Sequence, residues 1–110
     1  MPRREPALLI EDMLTALRKI ERYTAGMDLE RFRQDERTVD AVARNLEILG
    51  EATRQLPEDF ILRFPQVPWR QIAGLRNRIV HDYFGLDLEI IWQIIQRDLA
   101  QLQAQLEGLS

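Results

Sequence analysis

The chain has 110 residues, of which 45% are hydrophobic and 30% are charged, and its formal net charge is −3. This size and balance predict one compact domain over residues 1–110, and they exclude a second fold or a disordered chain. With no cysteine and a single histidine, the chain has no disulfide, no thiolate nucleophile and no Cys-based or His-rich metal site within one subunit. The short apolar run Ala7–Ile10 excludes a signal peptide or membrane span near the start, so a cytoplasmic protein is expected.

Apolar residues recur at three- and four-residue steps through the first half of the chain, as in amphipathic helices. The first predicted helix runs from about Pro6 to Tyr23, and Gly26 marks its end. Residues 28–33 predict at most a short turn. A long second helix is predicted over residues 36–56, because Pro57 cannot continue it.

The second half of the chain keeps the same spacing between prolines and glycines. A short helix is predicted over residues 58–64, another helix over residues 69–84, and a last one from its N-cap Asp87 to Leu109. These segments predict an all-α fold, an antiparallel bundle of four main helices with one or two short ones. The apolar seam continues to the C-terminus and leaves surface for a partner subunit, so a homodimer is expected.

One stretch of the chain is basic although the whole chain is acidic. Between Arg63 and His81 there is no Asp or Glu, and the stretch contains four arginines: Arg63, Arg70, Arg76 and Arg78. The planar guanidinium group suits phosphate better than the point charge of a lysine. A single arginine is more often part of a solvated surface, but this clustering favours an anion site.

Candidate catalytic residues lie at the end of this basic stretch. A lone histidine near a helix end is usually structural, but His81 lies close to Arg76 and Tyr83. A histidine can transfer protons near neutral pH, and arginines can stabilise charge on phosphorus. This set of residues suits phosphodiester cleavage. Asn77 could donate to a phosphate or fix Arg76, and we weight the two roles equally.

Arg76, His81 and Tyr83 match the Arg-x4–6-His-x-Tyr motif of the HEPN superfamily, and the chain resembles its HepT-like branch of small toxins. The similarity extends to the run Leu46–Ala52, to the Pro-Trp pair at residues 68–69, and to Asp87 followed by Trp92. The resemblance therefore covers nearly the whole chain.

This resemblance implies an endoribonuclease toxin that needs no metal or cofactor, acting as a homodimer with the motif at the subunit interface. It makes Arg76 and His81 catalytic, and RNA the substrate. It also implies a minimal nucleotidyltransferase antitoxin as partner, which silences the toxin by adenylylating Tyr83, as in a type VII-like toxin–antitoxin pair.

Helical geometry bears on how these residues could meet. On one ideal helix Arg76 and Tyr83 share a face, whereas His81 lies with Asn77 and Arg78 on another. Either the helix distorts or two copies complete one cleft, in which a pair of His81 side chains could supply acid and base. The simpler reading is that one histidine with an arginine suffices.

Several other residues have expected supporting roles. Glu47 or Glu51 could pair with Arg76 or Arg78, although a weak surface pair is the more common situation. The residues expected to support the site are therefore Asn77, Arg78 and Glu51. Gly50 suggests a close helix crossing, and the two tryptophans, Trp69 and Trp92, are expected in the core.

Two other functions are compatible with the sequence. One is a non-catalytic helical module that docks a nucleotidyltransferase or presents a ligand to it. The other is a dimeric helical scaffold in which the motif only caps a helix. The complete motif inside an acid-free basic stretch favours the ribonuclease, because a scaffold does not need that combination.

Overall fold

The computed structural model describes residues 4–81 and 87–109, and for residues 76–81 it describes the backbone only. All regular structure in these ranges is helical, which confirms the predicted all-α class. Seven helices occur in this part of the chain: α1 (Pro6–Thr24), α2 (Leu29–Gln34), α3 (Glu36–Gln55), α4 (Glu58–Arg63), α5 (Trp69–His81), α6 (Leu88–Arg97) and α7 (Leu99–Glu107).

Helix α3 lies at the centre of the fold, because it packs against both α1 and α5. Met13 and Ile20 of α1 and Val42 and Leu49 of α3 are completely buried. Burying side chains of this size stabilises the fold by about 1.5–3 kcal/mol each. The Thr53 hydroxyl donates a hydrogen bond to the Leu49 carbonyl at 2.9 Å and lies 3.7 Å from the Met13 sulfur, which satisfies this buried polar group.

Helix α2 spans six residues, where the sequence predicts a short turn or the second of the two short helices. The Asp28 carboxylate accepts a hydrogen bond from the Arg31 amide at 2.8 Å and so caps its first turn. Phe32 is completely buried, and its ring centroid lies 5.2 Å from that of Trp92 on α6. This contact makes α2 a bridge to α6 and places Trp92, predicted in the core, as a half-buried residue packed against it.

An aromatic cluster fixes the corner between α4 and α5. The Phe60 ring lies 5.0 Å from Phe64 and 6.2 Å from Trp69, measured between centroids. The Trp69 indole donates a hydrogen bond to the Phe64 carbonyl at 2.9 Å, and the residue is only 6% exposed. Trp69 is therefore the predicted core anchor, and it holds the start of α5 in place.

The prediction of one continuous helix from Asp87 to Leu109 is wrong, because Asp98 separates α6 from α7. Asp98 keeps helical backbone angles, φ −99° and ψ −34°, and its amide still donates to the Ile94 carbonyl at 2.9 Å. The interruption is therefore shallow. Its physical reason is tertiary, since α6 packs against α2 whereas α7 packs against α1.

Candidate active site

Helix α5 carries most of the predicted motif. Its backbone is helical from Trp69 to His81, so Arg76, Asn77, Arg78 and His81 occupy its last turns. The side chains of residues 76–81 and the whole of residues 82–86, including Tyr83, lie outside the described part of the chain. Convergence of Arg76, His81 and Tyr83 therefore stays a prediction.

Both flanks of the motif are firmly held. On the N-terminal side, Trp69 anchors α5, and the Ile72 amide donates to the Pro68 carbonyl at 3.1 Å. On the C-terminal side, the Asp87 carboxylate accepts hydrogen bonds from the amides of Glu89 and Ile90 at 3.0 and 3.3 Å. This confirms Asp87 as the predicted N-cap. The motif therefore lies between the start of α5, which Trp69 anchors, and the start of α6, which Asp87 caps.

Two arginines of the basic stretch precede the motif and are exposed. Arg63 lies over the rings of Phe60 and Phe64, at 5.3 and 5.5 Å from their centroids. Neither Arg63 nor Arg70 forms an ion pair within the described residues. Arg44 on α3, in contrast, pairs with Glu47 at 3.5 Å. No described carboxylate thus lies within ion-pair distance of the two arginines at the α4–α5 corner, which favours an anionic ligand there.

Glu51, predicted to support the site, is exposed on α3 and lines a groove of ≈ 510 Å³ between α1 and α3. Lys19 and Arg44 line the same groove. Pairing of Glu51 with Arg76 or Arg78 stays a prediction, because those two side chains lie outside the described part. Gly50 is buried in α3, in keeping with its predicted packing role.

A second groove, of ≈ 880 Å³, follows the first half of α5 and separates it from the residues around the α6–α7 break. Ile72, Gly74 and Leu75 contribute its α5 side. Among the described residues, its polar lining consists of four glutamines and one aspartate: Gln66, Gln71, Gln101, Gln105 and Asp98. The sequence does not predict this set of residues, because only the fold brings them together. Gly74 inside a helical pattern was the one available signal.

Neither a metal centre nor a membrane span occurs in the described ranges 4–81 and 87–109. Within them, no group of three or more His, Cys, Asp or Glu side chains is arranged to hold a metal ion. None of the helices in these ranges is both long and apolar enough to cross a membrane.

Comparison with known proteins gives a consistent result. Residues 13–109 match the family model described as Ribonuclease HepT-like. The chain is 43% identical over 95 residues to "Putative RNase MJ0127" of Methanocaldococcus jannaschii, covering 86% of this chain and 78% of that protein. It is 38% identical over 100 residues to "Probable ribonuclease HepT" of Thermococcus cleftensis, covering 91% of each.

A bacterial relative, "Putative RNase TTE0752" of Caldanaerobacter subterraneus subsp. tengcongensis, is 34% identical over 104 residues, covering 94% of this chain and 93% of that protein. No solved structure shows significant similarity. The family match covers most of the chain and includes the whole motif, which confirms the resemblance inferred from residues 76–83. The chain belongs to the HepT-like ribonuclease family.

Proposed function

We propose that this protein is an endoribonuclease toxin that cleaves RNA in the cytoplasm with Arg76 and His81 as catalytic residues. The observation that carries the proposal is the Arg76-x4-His81-x-Tyr83 motif, which lies within the HepT-like match over residues 13–109. The exposed Arg63 and Arg70, which form no ion pair with described carboxylates, support a polyanionic substrate.

The proposed reaction needs only side chains and RNA. A base removes the proton of a ribose 2′-hydroxyl, the 2′-oxygen forms a bond to the adjacent phosphorus, and the bond from phosphorus to the 5′-oxygen breaks. An acid then protonates the departing 5′-oxygen. His81 serves in this proton transfer, and Arg76 binds the scissile phosphate and stabilises its developing negative charge. Asn77 and Arg78 hold the same phosphate or its neighbours.

The proposed active form is a homodimer with the motif at the subunit interface. Cleavage by 2′-hydroxyl attack profits from both a base and an acid, and a two-fold axis near the end of α5 would supply two copies of His81 for these roles. The helical spacing of the motif supports this arrangement, because Arg76 and His81 lie on different faces of an ideal helix. Sedimentation at micromolar concentration is expected to give a dimer, and a monomer that cleaves RNA would contradict the composite site.

The first test compares substrates with the same sequence and different sugars. Purified protein is expected to cleave a single-stranded RNA in the presence of a chelator and to leave the all-deoxy oligonucleotide intact, because DNA lacks the attacking hydroxyl. Product ends are read by mass spectrometry. Cleavage that stops with the chelator, or that includes the DNA, would contradict this chemistry. A protein that cleaves neither but binds a nucleotidyltransferase would favour the non-catalytic module.

The second test concerns regulation by a cognate nucleotidyltransferase. In the proposed step the Tyr83 oxygen attacks the α-phosphorus of ATP and pyrophosphate leaves, so that AMP is joined to the phenol. The added phosphate would compete with RNA for the arginines and block access to them. Co-expression is expected to add the mass of one or more AMP groups and to abolish cleavage, and Tyr83→Phe should escape modification. An unmodified, inhibited toxin would instead indicate inhibition by complex formation.

A further inference from the structure

Gly74 is unexpected at its position in the structure. It lies inside the thirteen-residue helix α5, where glycine costs about 1 kcal/mol relative to alanine. A Cβ atom built at Gly74 meets nothing within 4 Å, so packing among the described residues does not require the glycine. The backbone of α5 is thus left bare on the wall of the 880 Å³ groove. A bare helix backbone in a groove permits close approach of a ligand.

The described lining of the groove combines amide side chains with apolar side chains. Ile72, Leu75 and Leu102 are among its apolar residues, and Gln71 of α5 and Gln101 of α7 both line it. Each glutamine offers two donors and one acceptor without a net charge. Such a surface suits a flat, uncharged ligand group that carries hydrogen-bond donors and acceptors along its edge. Asp98, the charged residue among the described lining, can accept from an amino group but would repel a phosphate.

The position of the groove relates it to the motif. Positions 74, 78 and 81 follow one another at steps of four and three, so they share one side of a regular helix. With a rise of 1.5 Å per residue, the backbone at Gly74 lies about 10 Å along the axis from that at His81. Arg70, exposed and one turn before Gly74, lies beside the groove, where it could contact a phosphate.

We propose that this groove is a base-binding subsite, which holds unpaired bases of single-stranded RNA next to the scissile phosphate. The inference rests on the proposed function and adds the place where unstacked bases of the RNA bind. In this arrangement the bases enter over Gly74 and contact the glutamine amides, while the sugar–phosphate backbone runs outside the groove past Arg70 towards His81. The subsite would make double-stranded RNA a poor substrate.

The test measures binding of a fluorescent 2′-O-methyl RNA of about twelve nucleotides, which lacks the attacking hydroxyl and is not cleaved. Gly74→Leu fills the groove and is expected to weaken binding about 10-fold. Ala100→Leu, which adds the same side chain to a different groove, is the matched control and should bind like the wild type. The double variant Gln71→Ala/Gln101→Ala should also weaken binding about 10-fold. Its control is the double variant Gln55→Ala/Gln96→Ala.

Two further measurements distinguish bases from phosphates. An abasic oligonucleotide of the same length should bind Gly74→Leu and wild type equally, because it has nothing to place in the groove. The loss caused by Gly74→Leu on intact RNA should be the same at about 50 and 200 mM salt, since no phosphate contact is removed.

Equal RNA binding by Gly74→Leu and wild type would overturn the proposal, and so would an equal loss on abasic RNA. If Gly74→Leu weakened only the complex with the nucleotidyltransferase, the groove would be a protein-docking surface. If Gly74→Leu does not fold, RNA binding by the glutamine variants tests the proposal instead. Cleavage of unmodified RNA by the wild type is assayed in parallel, and its absence would contradict the proposed function without touching the binding result.

Discussion

Single aspartates determine where three of the helices begin. The carboxylates of Asp28, Asp35 and Asp87 accept backbone hydrogen bonds at 2.8, 3.1 and 3.0 Å from the first turns of α2, α3 and α6. The bond from Thr38 lowers the pKa of Asp35, because it stabilises the ionised carboxylate. The Asp87 cap is of particular importance for function, because it fixes the start of α6 four residues after Tyr83.

Two glycines allow a stability test at the residue scale, because Gly74 lies within a helix whereas Gly26 has a positive φ. Gly74→Ala is expected to raise the free energy of unfolding by about 0.5–1 kcal/mol, because alanine favours the helix and its methyl group meets no neighbour. Gly26→Ala should lower it by about 1 kcal/mol, because φ at Gly26 is +77°. Urea unfolding at one fixed protein concentration measures both. A destabilised Gly74→Ala would mean that the glycine serves packing rather than an open groove.

At the scale of elements, periodicity predicted α1, α3 and α4 to within about one residue at each end. Periodicity did not predict the features that tertiary contacts determine. The interruption at Asp98 follows from α6 and α7 packing on different helices, and nothing local in residues 88–109 signals it. Helix α2 was predicted only as a turn because it is short and rich in charges, whereas α4, which also has six residues, lies between two prolines that mark its ends.

Phe32 is the residue through which α2 is held to the rest of the fold. Phe32→Ala is expected to lower the free energy of unfolding by about 3–5 kcal/mol, because it opens a cavity beside Trp92. Leu62→Ala on α4 is the control, since Leu62 is 71% exposed and should change stability by less than about 0.5 kcal/mol. Equal effects of the two substitutions in thermal or urea unfolding would show that α2 does not pack as described.

For the whole molecule, the sequence was most informative about the motif and least informative about its surroundings. Arg76, His81 and Tyr83 could be found because their spacing is visible along the chain. The groove beside α5 could not, because Gln71 and Gln101 are thirty residues apart and only folding brings them together. The same holds for Glu51, whose place on the α1–α3 groove depends on how α3 is rotated against α1.

These features give the molecule a consistent organisation around α5. Its start is anchored by Trp69, and one side is packed against α3. Another side borders a groove whose described polar lining is four glutamines and Asp98, and the exposed Arg70 lies in the first turn of α5. A helix held in this way can present Arg76, Arg78 and His81, which occupy its last turns, to a substrate.

The central claim is that His81 transfers protons during RNA cleavage. The most direct test is the initial rate at which wild type and His81→Ala cleave one defined single-stranded RNA, with circular dichroism and sedimentation confirming that fold and assembly are unchanged. The proposed mechanism predicts that the substitution lowers the rate by about 10²- to 10⁴-fold. A His81→Ala protein that cleaves this RNA as fast as the wild type would contradict the proposed mechanism.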